Sequence, residues 1–261
     1  AVAEVVAWFN RGLDRLPIGH WLHRRIRRNL ELPELELRLR TAGRGLDGLR
    51  VAFVSDVHAG SFFDEDELCE LFAAVQSHAP DLVLLGGDLI NTRERELLLF
   101  RRPLAQLRPR YGTFAVPGNH DHFWGPDIGL WSAFLQEHGV QVLLNRGVRI
   151  ERDGASLWLC GVDDLTEGTP DLAAALRGRR DGEPAILLSH HPDFFFEADL
   201  SFLVALTSSA DWPASGSCGI AAPIEGLVVT GAADLGLGRS SPVLPEKVLP
   251  ISTRSASVAA L

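Results

Sequence analysis

Four times along this chain a short apolar run stops at a cluster of Asp, Asn, His or Gly, and this recurrence constrains the fold more than any other feature of the sequence. Residues 51–54 lead into Asp56-Val57-His58, and residues 82–85 into Gly86-Gly87-Asp88. Residues 114–116 lead into Pro117-Gly118-Asn119-His120-Asp121, and residues 186–188 into Ser189-His190-His191-Pro192. Continuous apolar runs of this length, bounded by turn residues, read as strands buried on both faces. Further runs at 142–144 and 157–160 extend the sheet. Between the first two runs Leu68, Leu71, Phe72 and Val75 recur at helical spacing, with Asp64 and Glu67 placed as an N-cap and its partner three residues on. Leu130, Phe134 and Leu135 mark another helix. Alternating strands and helices predict an α/β sandwich whose ligand-binding groups gather at the carboxyl ends of the strands, where all four clusters fall.

Each cluster alone is ordinary turn chemistry. Together they supply the oxygen and nitrogen donors that divalent metals take, with Asp56 and His58 suited to one ion, Asp88 to a shared position, and Asn119 with His190 to a second ion. Gly87 and Gly118 lack a Cβ, which lets the loops turn sharply and approach a metal or phosphate closely.

In this order the motifs D-x-H (Asp56, His58), G-D (Gly87, Asp88), G-N-H-D (Gly118 to Asp121) and L-S-H-H-P (Leu188 to Pro192) resemble those of the calcineurin-like metallophosphoesterases. The resemblance covers about residues 49–200 and implies an αββα sandwich that hydrolyses phosphomonoesters or phosphodiesters with a water activated by two divalent metal ions, Mn, Fe or Zn. It places Asp56, His58 and Asp88 on the first metal and Asp88, Asn119 and His190 on the second. It makes His120 the group that contacts the phosphate and protonates the leaving alkoxide, oriented by Asp121. The sequence is most similar to the bacterial phosphodiesterase-like branch with a basic or membrane-proximal N-terminal segment, which implies a phosphorylated small-molecule or lipid-linked substrate.

The family pattern ends in G-H-x-H on a later strand, and this chain has no such motif: all nine histidines lie at or before His191. Residues 201–261 carry seven charged side chains, the single lysine of the chain, and no His, Asn, Gln or Tyr. Either a reading-frame shift near codon 200 replaced the native end, or the low-charge tail is divergent, and the sandwich is expected to be incomplete after residue 200. A catalytically impaired metal- or phosphate-binding module of the same fold is therefore the alternative to an enzyme.

The rest of the chain narrows the partners. A net charge of −9 argues against nucleic acid, whose binding needs Lys and Arg on phosphates, while bound cations would reverse the field locally for an anionic substrate. Residues 1–48 form a basic arm in which Ile18, Trp21, Leu22 and Ile26 share one helical face amid arginines. That arm suits peripheral contact with an anionic membrane, or a helix packed on the domain with solvated arginines. Cys69, Cys160 and Cys218 show no CxxC spacing and fit a reducing compartment, so the expected location is cytoplasmic, with membrane association through the arm left open. No stretch approaches the roughly 18 apolar residues of a membrane span. The sequence begins at Ala1 and holds no Met, which is compatible with an upstream segment.

Overall fold

The computed structural model describes residues 34–36, 43–60, 63–122, 128–191, 193–194, 203–208, 227–231 and 257–260. Two sheets are built from them. The first has six strands in the order β1 (Glu34–Glu36), β11 (Ser257–Ala260), β2 (Val51–Val54), β3 (Leu82–Leu85), β4 (Thr113–Ala115) and β5 (Val140–Val142), parallel throughout except for β1 against β11. The second has five in the order β10 (Leu227–Gly231), β9 (Leu203–Ser208), β8 (Ala185–Leu188), β7 (Ala155–Gly161) and β6 (Arg146–Arg152), parallel except for the β6–β7 hairpin. The α-helices are α1 (Glu65–Ser77), α2 (Arg101–Leu104), α3 (Gly129–Glu137) and α4 (Leu172–Ala175).

Alternation along the strands divides the core into three layers of side chains. Val51, Phe53, Leu82, Leu84 and Phe114 point from the first sheet toward Leu157, Leu159, Ile186 and Leu188 of the second, filling the space between the sheets. Their neighbours Ala52, Val54, Val83, Leu85 and Ala115 face the other way and pack with Leu68, Leu71, Phe72, Val75, Trp131 and Leu135 of α1 and α3. On the outside of the second sheet Trp158, Cys160, Ala185 and Leu187 meet Ala175 and Phe194. The strands are apolar on consecutive residues because both their faces are covered, and the result is helix, sheet, sheet, helix. This is the αββα architecture expected from the sequence.

The local signals resolve as follows. Asp64 Oδ1 accepts from the Glu67 N–H at 2.9 Å and the Asp64 N–H donates to Glu67 Oε2 at 2.8 Å, a complete capping box at the start of α1. The third helix buries Trp131 and Leu135, whereas Leu130 is 64% exposed, so its apolar face is rotated from the one expected. Strand β6 carries no apolar run, because it is an edge strand in which only Ile150 is buried and Val148 and Ile150 alternate with Arg149 and Glu151. Its signal is the two-residue Asp153-Gly154 turn, with φ of 47° and 78°, which joins it to β7 as a hairpin. Past residue 200, where the sandwich is expected to break off, the backbone of β9 and β10 continues the ladder beside β8, and β11 lies beside β2. None of these three strands contains a histidine. The basic arm up to residue 33 lies outside the described residues, and among those described no helix is long and apolar enough to cross a membrane.

One ion pair ties the edge of the second sheet to the loop before β8. Arg149 donates through Nε and Nη2 to the two carboxylate oxygens of buried Glu183 at 2.7 and 3.1 Å, and the Arg180 N–H adds a third bond at 3.0 Å. Burial pushes the Glu183 carboxyl up, but Arg149 and the Arg180 amide outweigh it and hold the group at about 2, below its ordinary 4.5. A depressed folded-state value stabilises the fold above pH 4.5, and that contribution fades as the pH falls toward 2. Glu183→Gln should therefore cost about 1–2 kcal/mol at neutral pH, allowing for the partly exposed arginine. In urea unfolding the gap from the wild type should close through that acid window; a pH-independent gap would assign the loss to packing.

Candidate metal centre

The ladder between β2 and β3 does not stop where the strands do. Beyond Val54 and Leu85 the chain continues to pair: the Asp56 N–H donates to the Gly87 carbonyl at 3.1 Å, the His58 N–H to the Asp88 carbonyl at 2.9 Å and the Ala59 N–H to the Leu89 carbonyl at 2.8 Å. This pairing holds three residues in the left-handed region, Asp56 at φ 58°, His58 at 45° and Asp88 at 52°. Such a backbone costs a non-glycine residue on the order of 1–3 kcal/mol and persists where the surroundings over-determine it, typically at functional sites. Here the strained residues are the ones expected to bind metal.

Asp88 sits at the centre. It is 1% exposed, and its Oδ2 lies 3.5 Å from His58 Nε2 and 3.4 Å from His190 Nε2, while Oδ1 accepts the His120 N–H at 2.8 Å. Burial pushes its carboxyl up, but His190, His58 and His120 outweigh this and hold it below the usual range, so it is an anion facing three imidazoles. Among the described residues two groups of donors lie close enough to hold an ion, Asp56 with Asp88 and His190, and His58 with Asp88 and His120. Asn119, next to His120 in the chain, has a buried Oδ1 with no hydrogen-bond donor opposite it, as a cation ligand would. The donor set and this orphaned carbonyl oxygen fit divalent metals.

Two glycines make the approach possible. A Cβ on Gly87, whose φ is 98°, would lie 2.7 Å from His190 Nδ1 and from the Gly118 nitrogen. One on Gly118 would collide with Asp88 Oδ1 and the His190 ring.

Backbone carbonyls aim the imidazoles. His190 Nδ1 donates to the Gly86 carbonyl at 2.9 Å, which presents Nε2 to Asp88. His120 Nδ1 donates to the Asn91 carbonyl at 2.5 Å, and its ring stands edge-on to His58 with centroids 4.5 Å apart. The orienting group of His120 is thus Asn91, in place of the Asp121 expected from the sequence. Asp121 spends its carboxylate on backbone amides, accepting from Leu89 and Ile90 at 3.1 and 3.2 Å through Oδ1 and from Gly118 at 3.0 Å through Oδ2. It pins the Asp88 loop to the Asn119 loop. Burial, with the nearby Asp88 charge, pushes Asp121 up to about 7 despite those amides.

A family model for calcineurin-like phosphoesterases matches residues 49–212, more than half of the chain. The chain belongs to the calcineurin-like phosphoesterase family. It is 34% identical over 160 residues to a transmembrane protein with metallophosphoesterase domain from Bos taurus, covering 56% of this chain and 36% of that one. It is 33% identical over 149 residues to an uncharacterized metallophosphoesterase of Helicobacter pylori, covering 55% and 39%. The chain thus spans well under half the length of these curated relatives. Among solved structures it is similar to the Thermus thermophilus sulfate thiohydrolase SoxB, at 14% identity and a TM-score of 0.46, covering 64% of this chain and 37% of that one.

The residues expected at the phosphoesterase centre follow strands that end at one edge of the two sheets, and five of them, Asp56, His58, Asp88, His120 and His190, fall into two donor groups that share Asp88. Asp56 is gathered with Asp88 and His190, and His58 with Asp88 and His120. Sequence reasoning missed a pair of carboxylates beyond β7. Asp163 Oδ1 lies 2.8 Å from His122 Nε2, and Asp164 Oδ2 lies 3.2 Å from His191 Nε2. Asp164 also takes the Thr166 N–H and hydroxyl at 2.9 Å. Burial pushes Asp163 and Asp164 up, but their histidines and backbone amides hold both below the usual range. The same rule that found the other clusters, a polar group following an apolar run, marks Val162-Asp163-Asp164 after β7.

Proposed function

We propose that this phosphoesterase hydrolyses a phosphoester with two divalent ions. The observation that carries the reading is the single buried oxygen of Asp88 lying between an imidazole nitrogen of each donor group. Asp56, His58, Asp88, Asn119 and His190 would hold the ions, which would supply Lewis-acid polarisation of the phosphate and an activated water. Around them the chain's own groups keep fixed roles. Gly86 holds the His190 tautomer, Asp121 locks the two ligand loops together, and the Gly118 backbone leaves room for Asp88. In its imidazolium form His120, whose Nδ1–H is held by Asn91, would pass the Nε2 proton to the departing oxygen and be left as the Nδ1–H tautomer, help worth roughly 10²–10⁴ in rate.

A second role for His120, as a ligand, is favoured by its grouping with His58 and Asp88. In a chain with the family's G-H-x-H restored, His120→Asn separates the two: retained metal with lower turnover supports the acid, and lost metal supports the ligand. The substrate class we infer is a phosphorylated small molecule or a lipid-linked phosphate. The basic arm of residues 1–48, and a bovine relative named as a transmembrane protein, support a site working near a membrane from the cytoplasmic side. The acidic chain disfavours nucleic acid.

The decisive assay is hydrolysis of bis-p-nitrophenyl phosphate and p-nitrophenyl phosphate with added Mn²⁺, alongside metal stoichiometry, on the 261-residue chain and on a version with G-H-x-H restored after residue 200. Because the family's last two histidines are absent, the chain as it stands should hold less than two ions and turn over near background, and the restored chain should gain both. One ion or none in both versions would favour the binding module over the enzyme.

A further inference from the structure

We infer that Glu96, outside the ligand set, is a positioning residue that fixes the orientation and tautomer of His120 through a single peptide group. Glu96 lies in the 3-10 turn Glu94–Phe100, and its Oε2 accepts from three successive backbone amides, Asn91 at 3.0 Å, Thr92 at 2.8 Å and Arg93 at 3.0 Å. The Thr92 N–H and the Asn91 carbonyl are opposite edges of one planar trans peptide and point in opposite directions. Holding that N–H on Glu96 therefore turns the carbonyl away from Glu96, and it ends 2.5 Å from His120 Nδ1. A carbonyl can only accept, so Nδ1 carries the proton and Nε2 is the nitrogen left to serve the site. A carboxylate on the N–H edge also polarises the peptide and makes its carbonyl the stronger acceptor.

The carboxylate is itself held in place. Gly60, at φ 90°, ends the loop that carries Asp56 and His58, and the Glu96 side chain packs against its backbone so closely that a Cβ there would lie 2.7 Å from Cγ and 2.8 Å from Cδ. Glu96 thus links the backbone beside one ligand loop to the peptide that aims His120. An ordinary helix-capping carboxylate would satisfy the same amides, and what distinguishes a positioning role is that the histidine must respond.

The inference rests on His120 being a site group, and its test does not depend on turnover. In the full chain labelled with ¹⁵N-histidine and kept free of metal above the titration range of histidine, long-range ¹H–¹⁵N correlation reports the tautomer of each ring, with His120→Gln assigning the signal. The wild type should show His120 protonated at Nδ1. Glu96→Ala and Glu96→Asp, the second keeping the charge but shortening the reach, should each raise the Nε2–H population several-fold. Glu96→Gln, which keeps an oxygen at the same reach, should match the wild type. His190, held by Gly86, should be unchanged in all three. An unaltered His120 tautomer in the Ala and Asp variants would overturn the inference, as would an equal disturbance of His190 or a Gln variant that behaves like Ala. A His120 response in the wild type, beside a chain with G-H-x-H restored that still binds no Mn²⁺, would sink the hydrolase reading and leave the role of Glu96 standing.

Discussion

With G-H-x-H restored after residue 200, Asp88→Asn is expected to strip both ions from the phosphoesterase while leaving its fold intact. The asparagine keeps an oxygen for the His120 N–H and places an NH₂ where Oδ2 now lies 3.4–3.5 Å from His190 and His58, so the metal-free protein exchanges a buried anion for neutral hydrogen bonds. Its melting temperature without metal should fall modestly at neutral pH, because a carboxyl held below its usual range by the surrounding histidines stabilises the fold there. Metal affinity should fall by more than the roughly 10–100-fold that follows loss of an outer-shell partner, because a shared ligand is lost from both groups at once. Asp56→Asn removes a donor from one group alone and should retain the other ion. Metal analysis after dialysis against Mn²⁺ compares the two, and equal residual content would refute the shared position of Asp88.

Gly118→Ala should damage the centre nearly as much by a different route. Its new Cβ would collide with Asp88 Oδ1 and sit 2.8 Å from His190 Cδ2, and neither partner is the loose end of a flexible chain: Asp88 is tied to the His120 amide and His190 to the Gly86 carbonyl. Overpacking of this kind costs about 1–3 kcal/mol of stability. In the chain with G-H-x-H restored the functional loss should be larger, since displacement of a reacting group by about 1 Å can cost about 10²-fold in rate. Urea unfolding and metal content measured together check this; a variant that loses metal with stability reduced only within that range fits, and one with full metal content would show that the loop yields more easily than the geometry allows.

The strands and the donors were legible because both signals are local. The runs at 51–54 and 82–85 match β2 and β3 residue for residue, since strands covered on both faces have no polar alternation to blur their ends. Strand β6 was not legible, because as a half-buried edge strand its side chains carry no run. The exposed Leu130 shows the same limit in a helix, where an apolar residue need not face the core.

By itself the sequence determined that Asp56, His58, Asp88, Asn119, His120 and His190 would lie at one edge of the sheets, since each follows a buried strand and such ends share that edge. Which donor stands beside which was decided by tertiary structure. His190 reaches Asp88 from the second sheet and is aimed by a carbonyl 104 residues earlier in the chain. His120 takes its orientation from Asn91 and not from the adjacent Asp121, whose carboxylate is drawn to three amides of loops that only the folded sheet brings together. A hydrogen bond between loops depends on strand order and on left-handed turns such as those at Asp56 and Asp88, and neither has a signature in the spacing of residues along the chain.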